Sequence, residues 1–161
     1  MKRLFFILLF FGALLLSSCQ REYGILDYQK KDILAECVIN GEYRVELKKE
    51  GDTVTVTAKE PQEISGVTFE IKDGVFISFG EMEIEMERES LKGICAIGEM
   101  FSQSEECLTS ATEQGSGSVL TFETELCHYQ ITIGPHSVPK HIKILSESFE
   151  YDVEILAIQL Q

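Results

Sequence analysis

From residue 33 onward, apolar residues fall at every second position in run after run, and glycine-centred turns separate the runs. Such alternation predicts strands with one buried and one wet face. In "DILAECVINGEYRVEL" (32–47) the Asn40-Gly41 pair marks a hairpin. A three-residue loop, Ile39 to Gly41, pairs Cys37 with Tyr43 and Ala35 with Val45, sets Glu36 opposite Arg44 and points Cys37 inward. A two-residue loop would mix apolar and charged positions on one face. A four-residue turn "KEGD" (49–52) matches Leu47 with Val54 and Val45 with Val56. In "GVTFEIKDGVFISF" (66–79) a loop of Lys72 to Gly74 joins Ile71 to Val75 and Phe69 to Ile77. Gly80-Glu81 suits a two-residue turn with glycine first, pairing Phe79 with Met82, Ile77 with Ile84 and Val75 with Met86.

The strand after that turn opens "EMEIEMERE" (81–89), with glutamate at every second position. Its Met82, Ile84 and Met86 extend the inward face of Val67, Phe69, Ile71, Val75, Ile77 and Phe79. Glu81, Glu83, Glu85, Glu87 and Glu89 extend the outer one. Alternate residues on a strand lie roughly 7 Å apart, too far for neighbours to chelate one small cation, so the row reads as a solvated sheet face.

Ser90 then caps a predicted helix running through "LKGICAIGEMF" (91–101) towards residue 110, with Leu91, Ile94, Cys95, Gly98 and Phe101 on one side. "EQGSGS" (113–118) is a loop. In "VLTFETELCHYQITI" (119–133) Leu120 and Phe122 match Tyr129 and Cys127. Pro135 and Pro139 confine the next connection to a loop and an edge-strand start. In the last strand Phe149, Tyr151, Val153, Ile155 and Ala157 alternate with Glu150, Asp152 and Glu154. The pattern predicts an α+β chain, mainly antiparallel β: a curved sheet of about nine strands with one covering helix near residues 91–110. One helix covers only part of an apolar sheet face. The uncovered part is either packed core or a ligand pocket.

The chain's start carries a different signal. Lys2 and Arg3 precede the thirteen-residue apolar run "LFFILLFFGALLL" (4–16), short for a membrane span and typical of a secretory signal. It ends in "LSSC" (16–19), which resembles the lipobox of bacterial lipoproteins. That resemblance implies cleavage before Cys19 and a diacylglyceryl group on its sulfur, a stable anchor on the extracytoplasmic side of a membrane. Gln20 permits sorting to an outer membrane where the cell has one. The organisation predicted is a leader over 1–18, lipidated cysteine and tether over 19–32, and one domain over 33–161.

The whole chain has a net charge of −13; without residues 1–18, and so without Lys2 and Arg3, 12 basic residues face 27 acidic ones, a net −15. No basic patch with interleaved aromatics exists, which excludes nucleic acid as a partner. Acidity of this size keeps a tethered domain soluble and away from anionic headgroups. Cys37, Cys95, Cys107 and Cys127 are an even number in an exported chain. They form disulfides, with Cys95 able to meet Cys37 or Cys127, or stay as buried thiols. Their spacing resembles no zinc site, and no metal or other cofactor is expected. His128 falls on an exposed strand position, and His136 and His141 flank the proline loop. No nucleophile elbow, zinc-ligand run or phosphate loop accompanies them, so the residues argue against catalysis.

The order of parts completes the picture. A lipobox is followed by a strand meander, the proline-led "PQEISGVTFEIKDG" (61–74), a mid-chain helix, paired strands, a second proline-led segment "PKHIKI" (139–144) and a final strand. This order resembles the bacterial lipoprotein-carrier superfamily, the LolA-, LolB- and LppX-like proteins, over most of residues 33–161. The resemblance implies a half-barrel of about eleven or fewer strands with helices closing its open side and an acyl chain or other lipid held between them. The chain departs from it in having one clear helix and no tryptophan. Arg44 lies on the polar face, and Arg88 on the face of Met82 and Met86. The expected lining is Phe69, Ile77, Phe79, Met82, Ile84, Met86, Phe122 and Tyr129, with Cys95 and Phe101 from the helix. Two readings follow: a membrane-anchored, non-catalytic lipoprotein binding a hydrophobic ligand, and a structural or protein-interaction lipoprotein with a filled core.

Overall fold

The computed structural model describes residues 26–115 and 117–161, so Cys19 and the leader over 1–18 lie outside the described residues. Eleven strands form one antiparallel sheet: β1 (Ile33–Ile39), β2 (Tyr43–Glu50), β3 (Thr53–Glu60), β4 (Thr68–Ile71), β5 (Val75–Phe79), β6 (Met82–Met86), β7 (Leu108–Gln114), β8 (Gly117–Glu123), β9 (His128–Ile133), β10 (Pro139–Leu145) and β11 (Glu150–Leu160). Across the sheet they run β6-β5-β4-β3-β2-β1-β11-β10-β9-β8-β7. The first and last strands meet in the middle, and β6 and β7 are the two edges. The sheet curves and stays open. Between the edges the chain makes a 3-10 turn, Arg88–Leu91, and one α-helix, α1 (Lys92–Glu99), which lies against β3 and β4.

The α+β class, the curved antiparallel sheet and the covering helix are as the pattern predicts; the helix is much shorter. Leu91 stands at its N-cap with no side-chain cap, because Ser90 is taken up in the preceding 3-10 turn. The helix tightens at its end, Met100 N–H donating to Ile97 O. Residues 108–114, expected to hold the helix end and the start of a loop, are β7 instead. That strand raises the count above nine, and its "LTSATEQ" carries the β-branched threonines that favour a strand.

Two hairpins form in the predicted register: Ile71 opposes Val75, Phe69 opposes Ile77, and Phe79, Ile77 and Val75 oppose Met82, Ile84 and Met86. Three others slip by two residues. The β1–β2 loop is Asn40 to Glu42, with φ of 53° and 70° at Asn40 and Gly41, so Cys37 opposes Val45 and Ile39 opposes Tyr43. Arg44 still reaches Glu36, diagonally, with Nε 2.5 Å from Oε1. The β2–β3 turn is Gly51-Asp52, so Leu47 opposes Val56. In β8–β9 Phe122 opposes Tyr129 and Leu120 opposes Ile131. An even slip keeps every side chain on its predicted face. In β11 a bulge does not: Cys37 opposes Ile155 but Glu36 opposes Ala157, leaving Leu156 as the extra residue. Beyond it the alternation inverts, so Ile158 and Leu160 turn inward and Ala157 is exposed.

The core fills the concave side. Leu47, Ile131, Ile142, Ile144 and Val153 come from the sheet, and Ala96, Ile97, Met100 and Phe101 from α1 and the residues after it. Residues 27–30, expected within the tether, make a 3-10 turn whose Tyr28 packs edge-on against Phe101, ring centroids 6.5 Å apart. Cys37, Cys95, Cys107 and Cys127 are free thiols, the first, second and fourth buried. Burial pushes the Cys37 thiol up to about 12, with Glu36 adding to it, and raises Cys95 and Cys127 as well. The two chain-distant halves are sewn together at the centre: Asp152 N–H donates to Asn40 Oδ1 at 2.8 Å across 112 residues of sequence.

Candidate functional site

The inner face of β3–β6 is a grid of three apolar rows set by strand register. One row is Val54, Ile71, Val75 and Met86; the next is Val56, Phe69, Ile77 and Ile84; Phe79 and Met82 belong to the third. Eight helical residues span only about 12 Å, so α1 covers one end of this grid. It sits close because Gly98 has no side chain: a Cβ there would strike Ile71 and touch Val54. Ile71 and Val75 are accordingly buried. Further out the cover runs out: Phe69, Ile77 and Met86 are half-buried, while Phe79, Met82 and Ile84 are 47%, 64% and 59% exposed.

The ten residues expected to line a pocket thus divide by place. Phe69, Ile77, Phe79, Met82, Ile84 and Met86 form the open inner surface of the β4–β6 arm. Cys95, Phe101, Phe122 and Tyr129 are sealed under and around the helix. Tyr129 is held there by its hydroxyl, which donates to Ala96 O at 3.0 Å. That carbonyl needs a partner because the Met100 N–H, its usual one, bonds Ile97 instead. Burial raises the Tyr129 pKa far above the ordinary phenol value, with Cys127 adding to it.

Because the strands alternate in direction, the turns after β1, β3 and β5 lie at one rim of this arm, and those after β2 and β4 at the other. The first rim carries exposed Tyr43, Ile64 and Phe79. The second holds an open cleft of about 660 Å³, lined by Asp52, Lys72, Arg88, Glu99, Lys49 and Gln103 among others. Lys49 and Gln103 are buried polar residues. The Lys49 ammonium donates to Gln29 O and, at 3.4 Å, to Lys31 O, clamping the segment that carries Tyr28. Desolvation lowers its pKa. Arg88 pairs with Glu99 and donates to Lys72 O at 2.8 Å. Lys49 shares parity with Val45 and Leu47, and a lysine on an apolar face is the sequence signal that marks it.

Glu81, Glu83, Glu85, Glu87 and Glu89 are all exposed. His128 is exposed, and His141 Nε2 lies 2.5 Å from Asp152 Oδ1. Among the described residues no three His, Cys, Asp or Glu side chains gather as a metal site, and no helix is long and apolar enough to cross a membrane.

No protein-family model and no curated protein matches the chain. Solved structures do. An uncharacterized conserved protein from Thermus thermophilus aligns over 85% of this chain and 85% of its own, at 12% identity and a TM-score of 0.53. A LolA superfamily protein from Nitrosomonas europaea aligns over 85% of this chain and 92% of its own, at 8% identity and a TM-score of 0.41. What the chain shares with the Thermus protein, at that identity, is the fold.

Proposed function

We propose that this chain is a lipid-anchored envelope protein that holds a hydrophobic ligand, an acyl chain or an acylated molecule, against the open inner face of β4–β6, without catalysis. The observation that carries the reading is the loss of cover along that face. The row that begins as core at Val56 passes through half-buried Phe69 and Ile77 and ends in solvent at Ile84 with no change of residue chemistry, and Phe79 and Met82 stand exposed in the row beside it. An acyl chain laid along them would gain about 0.8 kcal/mol per buried methylene. It would also take Phe79, Met82 and Ile84 out of water, worth about 1 kcal/mol each for half-burial. Methionines suit such a surface because they adapt to varied apolar shapes. The anchor rests on the lipobox-like "LSSC" at 16–19, and the order of parts that resembles the lipoprotein carriers supports the ligand class. The extracytoplasmic side of a membrane follows from the same anchor.

The test uses residues 20–161, which contain every described strand and the whole core, expressed and purified without detergent. Organic extraction and mass spectrometry should find a stoichiometric acyl lipid, or the apo protein should take up a fluorescent fatty acid. A clean protein that also refuses the fatty acid sinks the proposal. The sealing of Cys95, Phe101, Phe122 and Tyr129 favours the second reading, a protein-interaction lipoprotein with a filled core, and that outcome would leave it standing.

A further inference from the structure

β6 pairs with β5 on one side only, so half of its backbone N–H and C=O groups face away from the sheet without a partner strand. Natural edges are blunted by shortness, charged side chains, proline, bulges or inward-pointing charge. β6 is five residues long and carries glutamates on its outer face, but it has no proline, bulge or inward charge: its register with β5 runs unbroken from Val75–Met86 to Phe79–Met82, and its inward residues are Met82, Ile84 and Met86. Its outward residues are Glu83 and Glu85, with Glu81 and Glu87 just beyond either end. All four are exposed, and none takes part in an ion pair among the described residues. The other edge differs. β7 is almost entirely exposed, and past Leu108 its residues are small or polar, with no apolar row to continue.

These features select an occupant. A second copy of β6 would bring two glutamate rows onto one face of the joint sheet, a like-charge arrangement that opposes pairing. A strand with the opposite charge would meet no such penalty. We propose that the free edge of β6 receives an extended segment of another protein as a twelfth strand, with apolar side chains alternating with lysine or arginine. Its apolar side chains would lengthen the rows that end at Met82, Ile84 and Met86, and its cations would stand beside Glu83 and Glu85 at the matching spacing of roughly 7 Å. Main-chain hydrogen bonds would supply affinity and the charge row the choice of partner. The inference goes beyond the acyl-ligand reading and does not depend on it, since it uses the backbone edge and the outer face.

The test takes residues 20–161 and a labelled seven-residue peptide alternating valine and lysine, capped at both ends, with binding followed by fluorescence anisotropy. Binding should weaken as salt rises. It should fall roughly tenfold or more in the E83K/E85K variant, whose exposed positions leave folding intact. A peptide with glutamate for lysine should not bind, nor should one N-methylated at alternate residues. Amide exchange should slow on binding within Met82–Met86. No binding, equal binding to E83K/E85K, equal binding of the N-methylated peptide, or protection absent from β6 would each overturn the proposal. Fatty-acid uptake measured on the same variant should be unchanged, which separates failure of this proposal from failure of the acyl-ligand reading.

Discussion

Replacing Cys37 with alanine tests how a buried thiol ties the stability of this fold to pH. Cys37 sits in β1 with no exposed surface, and its pKa is raised from 9.0 to about 12, chiefly by desolvation. In the folded protein the thiol therefore stays protonated where the unfolded chain's thiol has ionised. Above pH 9 the unfolded state binds fewer protons, so stability falls as pH rises. The contribution is whole below pH 9, and about 1.4 kcal/mol is lost per pH unit up to the folded value. That is about 1.4 kcal/mol by pH 10 and about 2.7 kcal/mol by pH 11. Alanine removes the titration and leaves a small void costing about 1 kcal/mol at every pH. C37A should therefore be the less stable protein at pH 7.5, equal the parent at about pH 9.6 and exceed it at pH 11. Tyr28, Tyr129, Cys95 and Cys127 titrate in both proteins and cancel in the difference. Urea denaturation of residues 20–161 under reductant, followed by far-ultraviolet circular dichroism at each pH, measures it. A stability difference that stays constant from pH 7.5 to pH 11 refutes the reasoning.

Three further outcomes follow from named contacts. Tyr129→Phe leaves Ala96 O without its donor inside the core and should lose about 1–2 kcal/mol in the same urea assay; an unchanged midpoint would mean the carbonyl finds another partner. Gly117→Ala would place a Cβ against the Ile133 backbone carbonyl, which cannot swing aside, and should lower stability by about 1–3 kcal/mol. The double change Met82→Ser with Ile84→Ser should leave the unfolding free energy from the urea assay within about 0.5 kcal/mol, because both side chains are exposed, while lowering fatty-acid uptake; unaltered uptake would remove those residues from the ligand surface.

What could be read from the chain follows from how strands encode themselves. A period of two assigns each side chain to a face, and it did so for Cys37, Leu47, Phe122 and Tyr129 even where the pairing slipped. The slips came from turns: whether Asn40 and Gly41 both take positive φ, or Gly51 opens a two-residue turn, is decided by backbone geometry that many sequences share. At Gly80-Glu81 glycine sits where one tight turn requires it, and the register was legible. β7 was hidden because an exposed edge strand has no apolar row to betray it, and the bulge at Leu156 because one extra apolar residue does not disturb an apolar run. The split of the expected lining into sealed and open residues was beyond reach for a related reason. Ile77 and Ile131 are written alike, yet Ile131 is fully buried while Ile77 lies half-buried where α1, eight residues instead of about twenty, no longer covers the β4–β6 arm.

The meeting of β1 with β11 at the centre of the sheet has a consequence for how the chain is made. Its spatial edges, β6 and β7, are neighbours in sequence, while its middle joins segments as far apart as Asn40 and Asp152. A nascent chain that has reached residue 149 can form every hairpin that does not use β11 and still leave β1 and β10 each open along one whole side, templates for wrong partners. Only the last strand seals them. The sheet therefore cannot be completed until residues 150–160 have been made.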